Sequence, residues 1–246
     1  MFARFLDAPP ASILDVGCGT GRDLASLARD GADCTGVDIL PAMIEFGRAA
    51  RPQLRLEVGD MRSLRLGRTF DAILCMGSAL MYAIADRDLR ATLQTFAAHA
   101  HPGTLLVLDL NNASSWLGGG FAAESELRVD APGFQATARV VNRLDRRRQT
   151  LTRSRTWSIP GQEPVEDRCE YRLLFPAELE HLLAEVRFRV AGMFDNKELA
   201  DGDLAGPRLY VAAAFVAESG PKHGPGRPER SSPARSPPRP AADELP

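Results

Sequence analysis

Apolar and polar positions follow two different patterns along this chain. Up to about residue 110, short apolar runs typical of buried strands alternate with segments that have amphipathic-helix spacing. The predicted elements are strands 12–17, 33–38, 54–58, 71–76 and 104–110, and helices 22–29, 41–50 and 86–100. Residues 105–108 are uniformly apolar, as in a strand buried on both faces, and Pro102-Gly103 is predicted as the turn into it. This alternation predicts an α/β fold, with a mostly parallel sheet covered by helices on both faces.

The pattern changes between residues 111 and 175. After a break at Gly118–Gly120, β-biased segments at 124–130, 135–144, 150–159 and 166–175 predict an inserted antiparallel sheet, with Asp145–Arg148 as a hairpin turn. The arginines of the insert allow a phosphate-binding surface. A solvated sheet face, neutralised by neighbouring acids, is the alternative that we favour.

The last third of the sequence predicts a return to the first pattern, followed by a tail. Helix 177–185 and strands 187–194 and 208–216 extend the first sheet. Residues 218–246 are rich in Pro, Arg, Ser and Gly, and such a composition cannot bury enough apolar surface to fold. The predicted organisation is therefore a core formed by 1–110 and 176–217, an insert at 111–175, and a disordered tail at 218–246.

A glycine loop gives the strongest indication of chemistry. Residues 13–21 read Ile-Leu-Asp-Val-Gly-Cys-Gly-Thr-Gly, which is an apolar strand, a glycine turn and then a predicted helix, as in a nucleotide-binding cradle. The dinucleotide fingerprint needs a third glycine where Arg22 stands. Asp15, at the end of the strand, suits a cationic amino-acid moiety better than a pyrophosphate. Asp38 ends the second strand about 20 residues further on, which is where an acid can bind ribose hydroxyls.

The run from Asp15 to Gly21 resembles motif I of the class I S-adenosylmethionine (SAM)-dependent methyltransferases. The resemblance implies SAM as cofactor, S-adenosylhomocysteine as product, no metal, and a seven-stranded Rossmann-like sheet of order 3-2-1-4-5-7-6. It implies that Ile39 and Met43 flank the adenine and that the residues at 60 and 61 bind it. The implied cofactor-binding set is Asp15, Gly17, Cys18, Gly19, Asp38, Ile39, Met43, Asp60, Met61, Cys75 and Met76.

Residues 59–78 are similar to the deoxyamino-sugar N-methyltransferases of antibiotic pathways. Those enzymes insert an antiparallel sheet after the fifth strand and often dimerise through it. The resemblance therefore implies a small-molecule acceptor, either an amine or a hydroxyl of a natural product or nucleotide-linked sugar, and a homodimer through the insert. One or two helices usually precede motif I, whereas Phe2, Phe5 and Leu6 predict only a short helical turn here. We expect either that the true start of the protein lies further upstream or that the pocket is more open than usual and binds SAM weakly.

Methyl transfer by in-line displacement mainly requires the reacting atoms to be held collinear. Tyr82 follows the fourth strand, Asp109 ends the fifth, and Tyr171 comes from the insert, so these three are the candidate catalytic or orienting groups. The histidines are poorly placed for a general base. His99 and His101 are predicted instead as favourable charges at a helix C-terminus.

Composition limits the other classes of function. The formal net charge is −2, so no overall basic field favours nucleic acid as a partner, and no apolar run is long enough for a membrane span. The four cysteines show no metal-binding spacing and suit a reducing cytoplasm. Two alternatives to the enzyme remain, namely a non-catalytic SAM-binding or dimerisation module and, less favoured, a NAD-type oxidoreductase.

Overall fold

The computed structural model describes residues 1–117, 122–131 and 133–217. These residues form one seven-stranded mixed sheet and one four-stranded antiparallel sheet. The predicted break at Gly118–Gly120 and the predicted tail at 218–246 lie outside the described residues.

The elements match the predicted ones closely. The strands are β1 (Ser12–Val16), β2 (Asp33–Asp38), β3 (Arg55–Val58), β4 (Phe70–Cys75), β5 (Ala100–Asn111), β6 (Glu124–Ala131), β7 (Phe134–Asp145), β8 (Thr150–Ser158), β9 (Val165–Arg172), β10 (Phe188–Phe194) and β11 (Arg208–Phe215). The helices are α1 (Phe2–Phe5), α2 (Arg22–Arg29), α3 (Pro41–Ala50), α4 (Asp86–Ala98), α5 (Ala113–Leu117) and α6 (Pro176–Glu185), and a 3₁₀ turn occupies Ala79–Tyr82. Along the described ranges, no helix combines the length and the apolar character that a membrane crossing requires.

The strand order of the larger sheet is β3-β2-β1-β4-β5-β11-β10. Strand β11 runs antiparallel to both of its neighbours, while β1 to β5 pair in parallel. Numbered by core strands alone, this is the order 3-2-1-4-5-7-6, so the predicted fold class is confirmed. The carboxyl ends of the parallel strands meet at one edge, which we call the carboxyl edge, and this is where ligands bind in such sheets.

The larger sheet is buried on both faces. Ile13 and Leu105 pack in a layer with Leu24 of α2 and Ile44 of α3. Their chain neighbours Leu14 and Leu106 point to the opposite layer, which contains residues of α4 and α6. Alternation of side chains along a strand explains how consecutive apolar residues serve two layers.

The smaller sheet has the order β6-β7-β8-β9 and one face that is mainly apolar. Residues directly paired across antiparallel strands lie on the same face, and the register pairs Leu127 with Ala138, Ala138 with Trp157, and Trp157 with Val165. Near the larger sheet, Leu151 and Tyr171 of this face join the main core. Further out, Leu127, Phe134 and Val165 are 41%, 47% and 49% exposed.

The turn predicted at Pro102-Gly103 is wrong, because β5 already begins at Ala100. The register with β4 shifts between Phe70 and Ala72, so the extra residues of β5 form a bulge. The hydroxyl of Thr104 donates to the Phe70 carbonyl (2.6 Å) and accepts from the His101 amide (2.9 Å). These bonds satisfy backbone groups that the bulge removes from the ladder.

Candidate active site

The loop between β1 and α2 is shaped by glycines. Gly17, Gly19 and Gly21 have φ angles of 80°, 55° and 72°, in the left-handed region that favours glycine. A Cβ on Gly17 would lie 2.5 Å from the Cβ of Ala79, whereas a Cβ on Gly19 would meet nothing within 4 Å. The loop therefore packs tightly at its start and leaves open space beside its middle glycine.

Asp38 joins this loop to the end of β2. One carboxylate oxygen accepts a hydrogen bond from the Gly19 amide (2.8 Å) and the other accepts from the Leu40 amide (2.9 Å). Two backbone donors thus fix the orientation of the carboxylate. Its remaining lone pairs are available to hydroxyl donors.

Asp15 is the most unusual group at the carboxyl edge. It is 2% exposed, and its Oδ1 atom has no hydrogen-bond partner. Burial, together with the nearby charges of Asp23 and Asp38, raises its pKa to about 7. A buried carboxylate without a partner is costly, and an ammonium group would supply both the counter-charge and the missing donor. The donor set here therefore fits a ligand with a cationic amine.

Two cysteines lie close to Asp15 and are inert thiols. Cys75 is fully buried and Cys18 is partly buried. Burial raises the pKa of both thiols, and the charge of Asp15 acts in the same direction. Because the thiolate is the nucleophile, neither group is suited to covalent chemistry, and both act as packing at this edge.

An exposed apolar surface borders the ends of β2 and β3. Ile39 and Met43 are 55% and 42% exposed, and Val58 is 51% exposed. Met61 and Met76 are partly buried and pack against the two core layers. Exposed apolar side chains that converge at a strand edge provide the surface that a planar base requires.

The carboxylate of Asp60 is bound by a residue that the sequence analysis did not single out. The guanidinium of Arg62 contacts both oxygens, with the closest distance at 2.6 Å, and the Arg62 amide donates to Oδ1 (2.9 Å). These bonds lower the pKa of Asp60. Asp60 is thus held as a charged acceptor. The spacing of two residues in the sequence could have indicated this pair.

A network at the end of β4 depends on Arg208, which was also missed. Its guanidinium binds Asp109 and donates to Asn111 Oδ1 (2.7 Å) and Ser78 Oγ (3.3 Å). The Ser78 amide donates to the Asp109 carbonyl (2.8 Å), and Ser78 is 1% exposed with φ at 70°. No sequence spacing indicates this contact, because β11 meets β5 only through the strand register. Asp109 therefore holds the β4 loop in place and is not a free base.

Two of the predicted candidates are brought together. The hydroxyls of Tyr82 and Tyr171 lie 3.2 Å apart, and their ring centroids are 5.0 Å apart. Tyr82 follows β4 and is 50% exposed, whereas Tyr171 comes from β9 and is 7% exposed. Burial raises the pKa of Tyr171, so its hydroxyl stays protonated. The pair connects the carboxyl edge to the insert.

The prediction that His99 and His101 carry favourable helix charges is wrong for His99, and His101 lies in β5 beyond the helix end. The His99 ring is 1% exposed, contacts the Thr95 carbonyl through Nδ1 (2.8 Å), and accepts from the Leu66 amide at Nε2 (2.9 Å). Burial lowers its pKa. Bonds of this kind require the neutral ring.

Comparison with known proteins identifies the class of this site. Residues 13–103 match the family model described as a methyltransferase domain. The chain is 36% identical over 99 residues to a dTDP-3-amino-3,4,6-trideoxy-alpha-D-glucopyranose N,N-dimethyltransferase of Streptomyces venezuelae, a match that covers 40% of this chain and 42% of that relative. It is 30% identical over 232 residues to glycine N-methyltransferase of Rattus norvegicus, covering 83% of this chain and 77% of the relative.

Solved structures agree with the sequence comparisons. Streptomyces venezuelae DesVI superposes with a TM-score of 0.70 at 25% identity, over 88% of this chain and 87% of its own. The SAM-bound amino pentose methyltransferase of Micromonospora echinaspora superposes with a TM-score of 0.66 at 25% identity, over 84% of both chains. This chain belongs to the class I SAM-dependent methyltransferases. The resemblance predicted from motif I is confirmed, and membership of this family excludes the NAD-type alternative.

Proposed function

We propose that this chain transfers the methyl group of SAM to an amine or hydroxyl of a small molecule. The observation that carries the proposal is the buried Asp15 carboxylate, whose free oxygen lies beside the glycine loop. SAM supplies an electrophilic methyl on sulfonium when it is bound. The match with this chain spans about two fifths of the length of the sugar N,N-dimethyltransferases, so the acceptor class belongs to this proposal.

Different groups of the predicted cofactor-binding residues would contact different parts of SAM. Asp15 would hold the ammonium group and Asp38 the ribose hydroxyls, while Gly17 and Gly19 leave space for the ligand. Ile39 and Met43 would flank the adenine.

Asp60 would accept a hydrogen bond from the adenine amino group, and Met61 would pack on the ring. Cys75 and Met76 would lie under the methionine part, and Cys18 packs the loop. The grouping of these side chains at one edge supports the assignment.

The acceptor is proposed to lie between the 3₁₀ turn after β4 and the insert. Tyr82 and Tyr171 would orient it, since protonated phenols can donate to or accept from an acceptor group. An amine acceptor must arrive neutral to act as a nucleophile, and positioning would then supply much of the rate enhancement. Asp109 acts indirectly, by fixing the β4 loop with Arg208. An amine of a nucleotide-linked sugar or of another natural product is the acceptor that the relatives favour.

Calorimetric titration with S-adenosylhomocysteine tests this proposal directly. We expect micromolar binding by the wild type and at least about a hundredfold weaker binding by Asp15→Asn, because a charge-assisted pair in a buried site is lost. Asp30→Asn removes an exposed carboxylate at the end of α2 and is the matched control. Equal binding by all three proteins would contradict the proposal. Binding without methyl transfer to amino sugars or amino acids would favour a non-catalytic SAM-binding module.

The insert is proposed to serve as acceptor platform and homodimer interface. The outer apolar face at Leu127, Phe134 and Val165 supports a second copy as the partner, since exposed apolar residues on one sheet face favour association. Light scattering after size-exclusion chromatography should give a dimer for the wild type and a monomer for Phe134→Asp. A monomeric wild type would exclude the homodimer.

A role in antibiotic biosynthesis and a cytoplasmic location also belong to the proposed function. The free thiols of all four cysteines support the cytoplasmic location.

A further inference from the structure

Two arginines stand two residues apart on the apolar face of the insert, and only one has an acidic partner. Arg155 Nε donates to Asp167 Oδ1 at 2.7 Å, and the Trp157 indole donates to the other oxygen at 2.8 Å. Arg153 donates from Nε to Asn142 Oδ1 at 3.0 Å. Among the described residues, no carboxylate forms an ion pair with Arg153. A partly buried guanidinium normally pairs with an anion, so Arg153 retains unused donors.

The surroundings of Arg153 hold its side chain in a fixed orientation. The Nε of Arg153 donates its hydrogen bond to the Asn142 amide oxygen. The two terminal nitrogens of the guanidinium therefore remain available to another partner. The guanidinium carbon lies 5.7 Å from the centroid of the Tyr171 ring, at a distance that permits a cation–π contact. The Tyr171 hydroxyl in turn meets that of Tyr82, on the turn that follows β4. Arg153 therefore lies next to the tyrosine pair at which the acceptor is proposed to bind.

We propose that Arg153 binds an anionic group of the methyl acceptor, so that the substrate is an amine that also carries a phosphate or a carboxylate. The inference rests on the proposed function and adds the charge of the substrate to it. A guanidinium fork matches the planar or forked geometry of both anions. A neutral amino sugar would leave Arg153 buried against the acceptor without a counter-charge.

The two sources of the anion are separated by two probes. The wild-type protein is saturated with S-adenosylhomocysteine and titrated with thymidine 5′-diphosphate in one experiment and with glycine in another. A nucleotide-linked acceptor predicts binding of the diphosphate, and an amino-acid acceptor predicts binding of glycine. With the ligand that binds, Arg153→Gln should weaken the affinity about tenfold or more, because a charge-assisted hydrogen bond is lost. Arg153→Lys should restore part of it.

The matched control is Arg143→Gln, which removes an exposed arginine from the opposite face of the insert. It should bind both cofactor product and anion as the wild type does. Equal anion binding by Arg153→Gln and the wild type would overturn the inference, as would the absence of binding by either probe to the loaded wild type. In both cases S-adenosylhomocysteine still binds, so the proposed function stands. Failure of the wild type to bind S-adenosylhomocysteine would instead overturn the proposed function.

Discussion

The carboxyl edge of the larger sheet and the insert both concentrate polar groups, but they satisfy them differently. At the carboxyl edge, Asp15 is buried with an oxygen that has no partner, and the glycine loop leaves open space. In the insert, surface pairs such as Arg139–Glu124 lie on exposed strands. The first region leaves a buried group unsatisfied, whereas the second pairs several of its charges with each other at its surface. Among the described residues of the insert, Arg153 is the partly buried arginine that has no ion pair, and it borders the first region.

This difference predicts how the two regions respond to substitution. Groups at the carboxyl edge are constrained by both packing and ligand binding, so a substitution there should change stability and affinity together. The exposed pairs of the insert contribute little, since surface ion pairs are worth about 0–1 kcal/mol. The first two of the following predictions compare the same kind of substitution in the two regions.

The largest contrast is expected between two glycines of positive φ. Gly17→Ala should cost about 3–4 kcal/mol of unfolding free energy and abolish S-adenosylhomocysteine binding, because a left-handed alanine also collides with Ala79. Gly161→Ala, in the turn between β8 and β9, meets nothing within 4 Å and should cost about 1–2 kcal/mol. Urea denaturation measures both. Similar losses for the two variants would show that the loop is not tightly packed.

The next contrast is between two ion pairs. Arg208→Met should cost about 2–4 kcal/mol, because Asp109 has a side chain only 17% exposed and would lose its counter-charge. Arg155→Met should cost about 1 kcal/mol, since Asp167 is 38% exposed and keeps the Trp157 donor. Unfolding curves give both values. The double variant Arg208→Met with Asp109→Leu should recover part of the loss, and no recovery would argue against the pair as its cause.

Most substitutions of buried residues lower the free energy of unfolding, but Asp15→Asn should raise it. The ligand-free variant should be more stable than the wild type at pH 8 by about 1–3 kcal/mol. The pKa of Asp15 is raised from 3.8 to about 7, so the folded chain binds this proton more tightly than the unfolded chain does. Its contribution to stability is full below about pH 4 and is lost as the pH rises through 7. The difference between variant and wild type should therefore grow from pH 5 to pH 8. A difference that does not vary with pH would contradict the raised pKa.

The smallest effect on stability is expected for Tyr82→Phe, at about 1 kcal/mol or less, because Tyr82 is 50% exposed. Affinity for S-adenosylhomocysteine should not change. If Tyr82 orients the acceptor, kcat/KM for that acceptor should fall about tenfold. The control is Tyr210→Phe, on β11 of the larger sheet. Unchanged kcat/KM in Tyr82→Phe would remove it from the acceptor site.

The sequence alone was sufficient to predict the helices, strands and site residues that depend on local patterns. The glycine loop and the acids at the ends of β1 and β2 lie within a few residues of their strands, so their place at one edge follows from the sequence alone. Residues that act across the fold could not be found in this way. Arg208 meets Asp109 through strand pairing, and Tyr82 meets Tyr171 across 89 positions. His99 was misjudged because its burial and its bond to the Leu66 amide depend on a distant loop.

The position of β11 has a consequence for biosynthesis. Strand β10 precedes β11 in the chain but pairs only with it, and β11 lies between β10 and β5. As the chain leaves the ribosome, β10 has no neighbour to join until β11 follows. Arg208 arrives with that strand and completes the clamp on Ser78 and Asp109. The nascent chain therefore cannot fix the β4 loop before β11 has been synthesised, so this part of the carboxyl edge forms late in folding.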